Sequence, residues 1–387
     1  MSRPSRQMKL SARTSHEDAP NALAQAVANR SDVLDLTTSN PTRAGIAYDE
    51  RAILAAIADP RALVYEPASL GLPSARAAAA AELGIPASRV AITASTSEAY
   101  AVLFKMLCDP GDEVLVPAPS YPLLGFLAAF ESVRLVPYPL AYAGRWHVDL
   151  EGLRAARTER TRAIVVVSPN NPTGQYLDAS ELEAMLDTDL PIVSDEVFAT
   201  FPLGDRVPEG RVATVLGATR GLVFALSGLS KLAALPQMKL GWIGVAGDDA
   251  NVARAMQRLE LVLDAYLSVA APVQHALPAL LASRLTAHDA ICARTRRNLA
   301  ALRAAARGTH ATVLDVEAGW YAIVRVPETR SDEEWAVRLA SEDGVHVHPG
   351  YFFDMPRGAH LVVSLLTPEA TFDEGVRRIF ARLAEAT

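Results

Sequence analysis

RAIVVVSPNNPTG, residues 162–174, is a short β-branched apolar run that stops in a cluster of turn residues. Valine and isoleucine are stiff at χ1 and suit the pleated surface of a strand, whereas proline, asparagine and glycine end it. The pattern returns in LPIVSDEVF (190–198), GLVFALSG (221–228) and LGWIGVAG (240–247). Runs this short and continuously apolar belong to strands buried on both faces. Earlier, LPSARAAAAAELG (72–84) reads as a helix closed by Gly84, and RVAITAS (89–95) as a strand running into small polar residues. TSEAYAVLFKMLC (96–108) is then a helix and DEVLVPAP (112–119) a strand ended by prolines. Alternating strands and helices predict an α/β fold with a mostly parallel central sheet covered on both faces.

The last hundred residues read differently. ANVARAMQRLELVLDAYLSVAAPVQHALPALLASRL (250–285) is helical, with no clear internal stop before Pro272. Helix 288–308, strand 319–326, helix 332–344, strand 360–367 and helix 373–386 follow. They describe a smaller α+β unit. The expected division is an N-terminal arm over 1–45, a large domain over 46–280 and a small C-terminal domain over 281–387. The arm is expected to pack on the small domain or on a partner subunit.

With 387 residues, half of them hydrophobic, the chain can bury a large core. A net charge of -7 without a long basic stripe argues against nucleic acid or an anionic membrane as main partner. No uncharged apolar run reaches the ~18–20 residues that span a bilayer. Residues 1–20 lack a hydrophobic segment, so they read as an arm, with an organelle transit peptide as the rival reading. Cys108 and Cys292 lie far apart, without metal-ligand spacing, and suit ordinary buried thiols in a reducing cytoplasm.

Four polar clusters fall at strand ends, where a doubly wound sheet collects ligands: Ala94–Ser97, Asn170–Gly174, Ser194–Asp195 and Ser227–Lys231. Each has a plain structural explanation, as helix cap, turn or solvated charge. Together they suit one chemistry. The chain holds 37 Lys and Arg, yet its only lysines are Lys9, Lys105, Lys231 and Lys239. A primary amine in an apolar run can be held neutral and form a Schiff base with an aldehyde, which arginine cannot do. Asp195 supplies the anion that keeps a pyridine nitrogen protonated, and serines and threonine at a helix N-terminus cradle a phosphate.

SPNNPTG, SDEV and SK…LGW in this order make the chain resemble the class I/II aminotransferases, fold-type I enzymes dependent on pyridoxal 5′-phosphate (PLP). The resemblance implies that Lys231 carries the cofactor as a Schiff base and shuttles protons, and that Asp195 pairs with the pyridine nitrogen. Asn171 would bond the ring's phenolic oxygen, and Tyr121 would stack on the ring. Ser95, Thr96 and Ser97 would hold the phosphate, with Lys239 where the family usually has an arginine. Tyr65 would reach the neighbouring subunit's phosphate, making a homodimer with a shared active site. The implied activity is transfer of an amino group from an amino acid or amine to a 2-oxo acid in the cytoplasm. Elimination, cyclisation, decarboxylation or oxidation on the same cofactor is the alternative, and a PLP-binding domain without turnover a further one.

Two positions depart from the pattern. Phe198 stands where relatives place a tyrosine that bonds the phenolic oxygen. Val362, in AHLVVSLLT, stands where they place the arginine that grips the substrate carboxylate. Arg43 is the first candidate to replace that arginine, and His360 the second.

Overall fold

The computed structural model describes residues 8, 10–14 and 21–385. Residues 1–7, 9 and 15–20 of the expected arm, Lys9 among them, lie outside the described residues.

The eight-stranded sheet contains β1 (Val90–Thr93), β2 (Glu113–Ala118), β3 (Arg134–Tyr142), β4 (Trp146–Val148), β5 (Thr161–Val167), β6 (Ile192–Asp195), β7 (Leu222–Gly228) and β8 (Gly241–Gly247). Its order is β1-β8-β7-β6-β5-β2-β3-β4. The pairs from β7 through β3 are parallel; β8 runs against both β7 and β1, and β4 against β3. Successive strand residues point to opposite faces. Ile164, Ile192, Val223 and Ala225 therefore join one core cluster, and Val165, Val193, Phe224 and Leu226 another. This double burial is why the strands are apolar at consecutive positions.

Six helices frame the site and the cores around it: α1 (Pro73–Leu83), α2 (Thr96–Leu107), α3 (Asp249–Asp264), α4 (Ala271–Ala282), α5 (Leu285–Ala306) and α6 (Glu369–Glu385). In α1 the buried Ala75, Ala79 and Ala80 have no bulk to hold neighbours away, so α4 packs closely on this face. The helical run expected to continue to Pro272 breaks earlier. Helix α3 ends at Asp264, and Leu267 takes a left-handed φ of 43°. The cause is packing. Val252, Met256, Leu259 and Leu263 of α3 cover the sheet, whereas Val273, Leu277 and Leu280 of α4 pack with α1, so the chain must turn between two surfaces.

A second, antiparallel sheet holds β9 (Thr312–Val313), β10 (Tyr321–Val326), β11 (His348–Pro349) and β12 (Ala359–Ser364), in the order β9-β10-β12-β11. Helix α5 belongs to both regions: its Ala287 and Ile291 enter the core cluster of the large sheet, and Leu299 and Leu302 the one beside the small sheet. Leu34–Asp35 pairs in parallel with Val345–His346, and the Leu36 carbonyl accepts from the Ser364 N–H at 2.7 Å. Leu36 fills the space over Gly375 of α6, where a β-carbon would lie 2.4 Å from it. The N-terminal segment is thereby built into the C-terminal region.

No helix among the described residues is long and apolar enough to cross a membrane. Cys108 and Cys292 are free and half-buried rather than fully buried, and burial pushes the Cys108 thiol up to about 12, the behaviour of an unreactive side chain.

Candidate functional site

Because β1, β5, β6 and β7 point the same way, their carboxyl ends bring Thr93, Val167, Asp195 and Gly228 to one edge of the sheet. Gly228 leads into a single helical turn, Leu229–Leu232, which raises Lys231 from this edge. The lysine amine lies 4.9 Å from the ring centre of Trp320 and 5.7 Å from that of Phe198. Burial lowers its pKa to about 8, and the charge of Asp195 opposes that shift. At pH 7 roughly a tenth is thus uncharged, far more than for an ordinary lysine.

Asp195 ends β6. Its Oδ1 accepts from the Val197 N–H at 3.2 Å, and its Oδ2 from the Tyr100 hydroxyl at 3.2 Å. Burial raises its carboxyl to about 6, while these two donors and Lys231 hold it down. The adjoining Glu196 is buried and pushed up to about 7, although it accepts from the Val215 N–H at 2.8 Å.

Ser95 caps α2. Its hydroxyl accepts from the Glu98 N–H at 3.1 Å, and the Glu98 carboxylate accepts in return from the Ala94 N–H. The Ser95 hydroxyl keeps its own hydrogen to donate, and the N–H groups of Thr96 and Ser97 open the helix. Gly241 presses on this turn: a β-carbon there would lie 3.2 Å from Ser95 C and 3.3 Å from Thr96 N. One at Gly228 would lie 2.7 Å from Gly241 Cα. Two glycines thus let the strand ends carrying Lys231 and the α2 N-terminus approach backbone to backbone.

Asn171 is buried, and its Oδ1 has no hydrogen-bond partner among the described residues. It follows Ser168, whose N–H donates to the Asp195 carbonyl at 2.9 Å. The structure therefore gathers Lys231, Asp195, Phe198 and Asn171 at one edge, with Ser95–Ser97 alongside. Phe198 packs edge-on against Trp320 at 5.3 Å and Tyr321 at 6.4 Å. Lys239 is exposed and left-handed, with φ 51°, two residues before Gly241.

Other expected residues stand further out. Tyr121 is half exposed, and the Ser120 N–H before it donates to the Phe353 carbonyl at 2.9 Å. Tyr65 is 80% exposed and points away from its own chain's core. Arg43 is exposed on the turn Pro41–Arg43, and among the described residues its guanidinium has no hydrogen bond or ion pair. Val362 is fully buried on β12 opposite His348. His360 is buried two positions away, its basicity lowered by burial. Sequence reasoning missed Tyr100 and Trp320. Both stand in apolar runs where an aromatic residue reads as core, Tyr100 one helical turn beyond the cap and Trp320 in GWYAIVRV.

The family model for aminotransferase class I and II matches residues 31–379. The chain is 30% identical over 198 residues, 49% of its length, to S-alkyl-thiohydroximate lyase SUR1 of Arabidopsis thaliana. It is 24% identical over 81% of its length to nicotianamine aminotransferase 1 of Oryza sativa subsp. japonica. The aligned parts span 42% and 66% of those relatives' own lengths. An aminotransferase structure from Escherichia coli superposes with a TM-score of 0.85 at 22% identity, covering 98% of this chain and 99% of that one. The α/β sheet order, the smaller antiparallel sheet and a family match over most of the chain lead to one conclusion: the chain belongs to the class I and II aminotransferase family.

Proposed function

We propose that this chain is a PLP-dependent aminotransferase that moves an amino group from an amino acid or amine to a 2-oxo acid. The observation that carries the reading is Lys231, a lysine amine packed between Trp320 and Phe198 and made easier to deprotonate by burial, beside the Asp195 carboxylate. The residues fit the cofactor: a helix N-terminus at Ser95–Ser97 with Gly241 in close backbone approach, a buried Asn171 whose side-chain oxygen has no partner among the described residues, and an acid at Asp195. Bound there, PLP supplies an aldehyde that links reversibly to amines and a ring that takes up electrons from the carbon next to nitrogen.

The chain's own residues do the rest. Lys231, its pKa lowered to about 8, would offer a minor uncharged fraction at neutral pH and afterwards a base of matched strength for carrying a proton. Trp320 and Phe198 keep water from that amine. Asp195, held by Tyr100 and the Val197 N–H, would pair with the pyridine nitrogen, and the Asn171 amide nitrogen would donate to the phenolic oxygen. The α2 N-terminus would hold the phosphate, with Lys239 as the candidate cation to balance its charge. Arg43, exposed and unpaired, is our candidate for the substrate carboxylate.

The division at 1–45, 46–280 and 281–387 belongs to this reading, as does a cytoplasmic homodimer in which Tyr65 reaches the partner's phosphate. Exposed Leu63, Val64 and Tyr65, at 90%, 61% and 80%, support such an interface. A second reading is elimination from an amino acid. It is favoured by the apolar Val362 and by a relative named as a lyase.

Borohydride reduction of the PLP-loaded protein followed by peptide mapping tests the core of the proposal: a pyridoxyl group on Lys231 is expected. Its absence refutes the reading. Stoichiometric conversion of the cofactor to its amine form by a donor, without added oxo acid, separates transfer from elimination, which leaves the cofactor unchanged.

A further inference from the structure

We infer that Tyr100 is a positioning residue that fixes the plane and the charge of the Asp195 carboxylate, and so ties the phosphate end of the site to its pyridine end. The inference rests on the proposed role of Asp195 toward the pyridine nitrogen. Tyr100 lies four residues after Thr96 on α2, one turn into the helix whose first N–H groups form the phosphate cradle. Its ring is 4% exposed, and its hydroxyl donates to Asp195 Oδ2 at 3.2 Å while Val197 N–H holds Oδ1. Both oxygens are thereby held, from two different elements, and the carboxylate cannot rotate without breaking one contact.

The hydroxyl stays a donor throughout the working pH range, because burial and the neighbouring carboxylate push its own ionisation far upward. Among the described residues, the titratable groups around Asp195 are few. Lys231 faces it from the turn after β7, Glu196 adjoins it in sequence, and Tyr138 of β3 lies beside Tyr100. Of these, Lys231 is committed to the substrate side. The phenol is the side-chain hydrogen bond that favours the ionised carboxyl from beneath.

The experiment measures PLP affinity across pH 5–9 for the full chain, for Tyr100→Phe, for Asp195→Asn and for the double variant. Tyr100→Phe keeps the ring and removes the donor. We expect PLP binding about tenfold weaker near pH 7, with the acid limb of the binding profile moved upward, as for a lost bond to a charged group. In the Asp195→Asn background the same substitution is expected to change nothing, since its route to the cofactor is gone. Affinity for inorganic phosphate, which meets the cradle alone, stays as in the unsubstituted chain. Equal losses in both backgrounds, an unchanged acid limb, or a parallel loss of phosphate binding overturn the inference and leave Tyr100 as a packing residue. If the unsubstituted chain takes up no PLP, the functional reading fails first. If it binds PLP and Asp195→Asn loosens it while Tyr100→Phe does not, only the present inference fails.

Discussion

Replacing Gly241 with alanine adds a single methyl group where the strand end of β8 meets the first turn of α2. The new carbon would lie 3.0 Å from the Ser227 carbonyl oxygen, 3.2 Å from Ser95 C and 3.3 Å from Thr96 N. All three atoms belong to the backbone, so no side chain can swing aside, and β8 must part from α2 by a few tenths of an ångström. Overpacking of this kind costs about 1–3 kcal/mol of stability. The same displacement carries the Thr96 N–H away from the position proposed for the phosphate. A hydrogen bond to a charged group is worth about 1.5–3 kcal/mol, so partial loss weakens phosphate binding on the order of tenfold. Denaturant unfolding gives the first quantity, and calorimetric titration with inorganic phosphate and with PLP gives the second. Gly217→Ala is the control, because nothing lies within 4 Å of its added carbon. If Gly241→Ala stays within about 0.5 kcal/mol of the control in stability and equals it in phosphate affinity, the argument that close backbone approach builds the cradle is wrong.

Three further outcomes are expected. Glu196 has its folded pKa raised from 4.5 to about 7 by burial, so the folded state binds a proton that the unfolded state releases between those values. That contribution is present below pH 4.5 and lost as pH rises through 7, so Glu196→Gln is expected to stabilise the cofactor-free protein above pH 7 by on the order of 2 kcal/mol and to flatten the decline between. Phe198→Tyr restores a hydroxyl donor near the Lys231 amine, which lies 5.7 Å from the ring centre. The pH at which the lysine-bound cofactor changes colour is then expected to fall, and an unchanged or higher midpoint tells against a lost donor at this position. Arg43→Ala is expected to raise KM for amino acid donors about tenfold and to spare amines without a carboxylate, read from steady-state kinetics on matched pairs. Equal effects on both would assign Arg43 to the surface.

Much of this molecule is legible in the sequence alone. β6, β7 and β8 lie within three of the four apolar runs and β5 starts one residue before the fourth, because residues buried on both faces leave no room for polar alternation. The N-terminus of α2 starts at the expected Thr96, since Ser95 and Glu98 are cap residues by their chemistry. The break after Asp264 was not legible. Helical periodicity continues through it, and only the competing surfaces of α1 and the sheet force the turn. Tyr100 and Trp320 were missed for a related reason. An aromatic residue in an apolar run looks like core, and only the tertiary fold shows that one ring ends at a carboxylate and the other below an amine. Lys239 was noticed for its charge but not for its left-handed backbone, which no side-chain preference announces.

The pairing of Leu34–Asp35 with Val345–His346 has a consequence for how the polypeptide matures. During synthesis the early strand leaves the ribosome without its mate, which follows only after some three hundred further residues. At ~5–20 residues per second the wait is roughly 15–60 s. The intervening α/β sheet can collapse within that time, since its own neighbours are all present. Leu36, however, cannot seat on Gly375 until α6 has been made, so the C-terminal region closes over it late. Weakening residues 34–36 should therefore lower the yield of soluble protein more than it lowers the melting temperature of molecules that have already matured.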